Sequence, residues 1–115
     1  MDHIAVYPDH FTTAEEALEK ISAAGLHVMQ MDVPAVKNQS HWHTFSTRIY
    51  ILEGVLLISD TAQNHVLRAG PGSRVDVPAR VLHSEDSAGY RIIAGLTVDP
   101  VSLSGPVDRD PADLL

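Results

Sequence analysis

His41 and His43 stand two residues apart in "SHWHTFSTRIYILEG", residues 40–54, with Trp42 between them. Side chains at i and i+2 share a face on extended backbone and diverge on a helix. On a strand their Cβ atoms lie about 6–7 Å apart, so two imidazoles can converge on one ion. A third ligand must come from another strand, and His83 in "VPARVLHSEDSAG", residues 77–89, is the candidate. Glu85, two residues beyond His83, shares its face. It is the candidate catalytic residue, as a general base or a displaced carboxylate ligand, unless it lies at a rim in water. His3, His10, His27 and His65 have no such partner spacing.

The rest of the chain must supply the strands that hold these residues. "TTAEEALEKISAAG", residues 12–25, predicts one short helix over about 12–24. Thr12 or Thr13 can cap it, Glu15 or Glu16 is placed for a capping box, and Gly25 suits the exit. Ala14, Ala17, Leu18 and Ile21 form its apolar stripe. After Gly25 the pattern turns to strands. "LHVMQMDV" (26–33), "HWHTF" (41–45), "RIYILE" (48–53), "VLLIS" (55–59), "HVLR" (65–68), "RVDV" (74–77), "RVLHSE" (80–85) and "YRIIAGLTV" (90–98) are short and strand-like. "PAVKNQ" (34–39) reads as a loop, and "SAG" (87–89) as one of several turns. Many short strands with frequent turns predict an all-β sandwich or barrel. The tail, residues 99–115, is rich in Pro, Asp and Ser and is expected to be extended over the surface or partly disordered. Asp108, Asp110 and Asp113 within it read as a solvated face.

A chain of 115 residues suffices for one domain and is short for two. Its net charge is -7 with no basic cluster, which argues against nucleic acid and against an anionic membrane surface. The longest apolar run is far too short to span a bilayer, and the N-terminus has no signal-peptide pattern. A cytoplasmic location follows as the expectation. With no cysteine, disulfides, thiolate metal sites and cysteine nucleophiles are excluded together.

The spacings resemble those of the cupin superfamily, small jelly-roll barrels that usually hold one metal ion. The first cupin motif reads Gly, five residues, His-x-His, three or four residues, Glu, six residues, Gly. Here "HWH" fills 41–43 and Gly54 closes it. The second reads Gly, five residues, Pro-x-Gly, two residues, His, three residues, Asn. Gly72, Pro78 and His83 match it. Four positions depart from the pattern: Ala35 and Arg80 replace glycines, Ser87 replaces the asparagine, and Thr47 replaces the glutamate. Thr47 removes the only carboxylate that the family would offer the metal. The resemblance spans residues 33–98. It implies a single cupin domain over 1–115, a jelly-roll β-barrel over about 26–98 with a short N-terminal helix.

The resemblance further implies a three-histidine site, His41, His43 and His83, for one divalent transition-metal ion: Fe, Zn, Mn, Ni or Cu. Imidazole does not choose among most of these. A small-molecule metalloenzyme follows, dioxygenase-like or an isomerase or lyase. The alternatives are a non-enzymatic ligand-binding or sensor module, and histidines that only pack. Trp42, Tyr50 and Leu52 share an outward parity, and covering them predicts a homodimer.

Overall fold

The computed structural model describes residues 3–103 and 107–114. Seven strands build one sheet that nearly closes into a barrel: β1 (Ala5–Tyr7), β2 (His27–Lys37), β3 (Thr47–Gly54), β4 (Leu56–Asp60), β5 (His65–Ala69), β6 (Arg74–Val77) and β7 (His83–Leu96). The order is β1-β6-β3-β7-β4-β5, with β2 paired to β7 as well, and the pairings are antiparallel. Asp60 fastens the seam between the two ends of that order. Its carboxylate is buried and accepts from the Ile4 amide at 3.1 Å and the Gln63 amide at 3.2 Å.

Strict alternation decides what faces inward. On β3, Ile49 and Ile51 join the barrel core with Val75, Ile92 and Leu96, while Tyr50 points out beneath the helix. Each large apolar side chain so buried contributes about 1.5–3 kcal/mol. The helix α1 (Ala14–Ala23) covers that outer patch with Ala17 and Ile21, and Phe11 meets Tyr50 edge-on at 5.3 Å. Thr13 is its N-cap, accepting from the Glu16 amide, and the Glu16 carboxylate reaches back to the Thr12 amide at 2.8 Å. At the other end Gly25, with φ of 71°, lets Leu26 N–H return to Ile21 O and close a Schellman turn.

Three expectations need correction. The loop expected over 34–39 is largely strand, because β2 continues through Pro34 to Lys37. Pro34 is tolerated because β2 pairs on one side only. Residues 41–45 form no regular strand. They are extended, bridged to the barrel by reciprocal bonds between His41 and His83 main chains, 2.8 and 2.9 Å. The turn expected at 87–89 is instead a kink inside β7. Gly89, with φ of 131°, resets the alternation, so Tyr90 and Ile92 face inward on the same side as His83 and Glu85. Strand β1 gave no signal in the sequence.

Where it is described the tail lies over the surface, and it is pinned there. Arg109 bridges Trp42 through main-chain bonds of 3.3 and 2.9 Å, and the Trp42 indole N–H donates to Asp110 O at 2.8 Å. Arg80 and Arg109 stack on the indole at 5.1 and 5.9 Å. Trp42 is therefore 4% exposed and Tyr50 1%, both covered by this chain itself. Leu52 packs beside the helix cluster. These residues no longer argue for a homodimer.

Candidate metal centre

His41, His43 and His83 come together as the sequence predicts. Their ligand atoms all lie within 4.8 Å of one another. The ring centroids of His41 and His83 are 4.4 Å apart, and those of His43 and His83 are 5.0 Å apart. Donors about 2.0–2.1 Å from one ion stand about 3–4 Å apart, so the rings need close by only about 1–2 Å to grip one.

The main chain orients each ring. Nδ1 of His41 donates to Gln39 O at 2.8 Å, Nδ1 of His43 to Val107 O at 2.9 Å, and Nδ1 of His83 to Val81 O at 2.9 Å. A carbonyl only accepts, so each Nδ1 carries a proton and Nε2 is left as the ligand atom. Phe45 stacks on His43 with an interplanar angle of 12°. Arg80 stands where the cupin motif has glycine, and adopts φ of 66°. Its amide donates to His43 O at 2.8 Å, which fixes the turn that leads into His83. The donor set fits a transition-metal ion.

Thr47 faces the barrel interior, as its parity required. A carboxylate does meet the cluster, but it comes from β7. Glu85 Oε1 lies 3.2 Å from His41 Nε2 and 3.8 Å from His83 Nε2. Tyr90 donates to Glu85 Oε2 at 3.2 Å, and Asn38 Nδ2 stands 3.4 Å from Oε1. Burial pushes the Glu85 carboxyl up, but the His41 hydrogen bond, the nearby His83 and Asn38 outweigh it and hold it at about 2. Glu85 is thus an anion at neutral pH. Burial, and then the Glu85 charge, push the Tyr90 hydroxyl well above its ordinary range, so it stays a donor.

The two buried histidines are driven in opposite directions. The Glu85 hydrogen bond raises His41 above the ordinary imidazole value. Burial lowers His83, and the charges of His41 and His43 lower it further. Glu85 Oε1 can only accept, so the 3.2 Å contact to His41 Nε2 is made by a proton on that nitrogen, which an incoming ion would have to replace. Metal affinity is expected to fall as pH falls, beginning above the ordinary histidine range, by about tenfold per pH unit for one proton displaced. Calorimetric titrations with Zn²⁺ from pH 8 to pH 5.5 check this. A flat profile would remove the histidines from the site.

The cluster opens into a cavity of about 250 Å³ inside the barrel. Its wall is mostly apolar, with Met29, Met31, Val33, Ile49, Ile58 and Ile92, and its polar groups include His43, His83, Glu85 and Asn38. Val107 and Asp108 of the tail also line it, which the sequence did not suggest. A cleft of about 270 Å³ outside the wall, beside Arg48 and Asp76, holds none of the histidines. No helix among the described residues is long and apolar enough to cross a membrane.

No protein-family model matches the sequence, and no curated protein sequence matches it. Solved structures do match the fold. A DUF861 family protein from Thermotoga maritima aligns with a TM-score of 0.58 at 14% identity, over 81% of this chain and 98% of that one. The polyketide cyclase RemF from Streptomyces resistomycificus aligns at 0.52 and 21% identity, over 72% and 67%. A cupin superfamily protein from Desulfitobacterium hafniense aligns at 0.50 and 12% identity, over 84% and 77%. The chain shares the jelly-roll barrel fold of these structures, one of which is a cupin superfamily protein.

Proposed function

We propose that His41, His43 and His83 hold one divalent transition-metal ion through Nε2, and that the protein is a metalloenzyme for a small organic molecule. One observation carries this reading. All three rings are oriented by main-chain carbonyls so that their ligand atoms gather within 4.8 Å. When bound, such an ion supplies Lewis acidity toward a carbonyl or enolate oxygen, and a redox-active one supplies oxygen chemistry as well.

The chain's own residues do the rest. The apolar wall excludes water and limits the substrate to about 250 Å³. Glu85, oriented by Tyr90 and Asn38, is placed to take a proton from bound substrate at its Oε1 once His41 Nε2 no longer donates to that oxygen. That step suits a dioxygenase of an enolisable substrate, and equally an isomerase or lyase. A polyketide cyclase stands among the fold neighbours, so enzymes occur in this architecture.

Elemental analysis of protein purified without a histidine tag tests the reading. About one equivalent of a transition metal is expected. A redox-active metal favours the dioxygenase, and zinc favours the isomerase or lyase. Protein that holds no metal and takes up none at micromolar Zn²⁺, Mn²⁺ or Co²⁺ is a binding module instead.

A further inference from the structure

We infer that Asp108, carried by the C-terminal tail, is an additional carboxylate of the three-histidine metal site. The inference rests on the metal-site reading above and extends it to a residue outside both histidine-bearing segments. Asp108 Oδ1 lies 3.7 Å from His41 Nε2. That is the separation of two donors sharing one ion, about 3–4 Å. The same oxygen lies 3.6 Å from His43 Nδ1, whose N–H donates to Val107 O.

The placement is built. Residue 107 is held by His43, residue 109 by the paired main-chain bonds to Trp42, and residue 110 by the indole N–H. Asp108 sits between these fixed points and lines the same cavity as His43, His83 and Glu85. Its side chain is 63% exposed, so it meets the ion from the solvent side, whereas Glu85 is largely buried. The site thus has an inner carboxylate from β7 and an outer one from the tail. Incoming substrate must displace or accommodate the outer one.

Calorimetric titration of the full chain with Zn²⁺ and with Mn²⁺ tests this, together with the visible absorption of bound Co²⁺. Asp108→Asn is expected to weaken binding about 10–100-fold and to change the Co²⁺ spectrum. Asp108→Glu is expected to restore most of the affinity. Asp113→Asn removes the same charge elsewhere on the tail and should change neither reading. If wild type binds metal and Asp108→Asn binds it equally well with an unchanged spectrum, Asp108 is no part of the site, while the three-histidine centre stands. If wild type binds no metal, both fall.

Discussion

His83→Ala is expected to lower divalent-metal affinity more than any other single change, by well over the 10–100-fold typical of losing an outer partner. His83 is 2% exposed, and it joins His41 through main-chain bonds as well as through ring contact. Removing its imidazole deletes a ligand that burial keeps neutral and ready to bind. The reciprocal bonds to His41 belong to the backbone and survive, so the extended segment keeps its place. The fold should lose only the packing of one ring, about 1–3 kcal/mol. Loss of metal with a modest fall in thermal midpoint is therefore the expected pair of results. His65→Ala, at an exposed position on β5, is the control and should change neither. Metal binding at wild-type strength in His83→Ala would place the ion elsewhere.

What the sequence revealed here was local, and what it concealed was long-range. His41 and His43 were legible because two residues on extended backbone share a face whatever strand they later join. Glu85 followed from His83 by the same parity. The kink in β7 was concealed because "SAG" carries the composition of a turn, whereas Gly89 stays in the ladder and only reverses the alternation. Pro34 was concealed because strand interiors exclude proline unless one edge is free, and edge status is a property of the whole sheet. Asp108 was least legible of all. Its place beside His41 depends on contacts across more than sixty residues, anchored on Trp42 and His43. The available signal was Trp42 itself: a large outward indole needs cover, and the tail supplies it.

Gly54→Ala is expected to be the most destabilising single-methyl change in the barrel, and the reason lies where two strands cross. Gly54 ends β3 and pairs with Tyr90 of β7. A Cβ at this position would collide with the Gly89 carbonyl oxygen and lie 2.8 Å from Tyr90 Cα, so backbone must move. Gly54 also has φ of 84°, in the left-handed region that a side chain disfavours. Gly25→Ala separates the two effects. Its φ is 71°, yet nothing lies within 4 Å of the added methyl. That variant should lose only the conformational term, about 1 kcal/mol. Gly54→Ala should lose roughly 3–5 kcal/mol, or about 10–20 °C in thermal midpoint for a chain of this size. The displaced backbone carries Tyr90, whose hydroxyl holds Glu85. Surviving Gly54→Ala protein should therefore bind metal more weakly, with its three histidines intact. Equal thermal midpoints for the two variants would mean that β3 and β7 do not approach so closely, and that Tyr90 is not set in place by that contact.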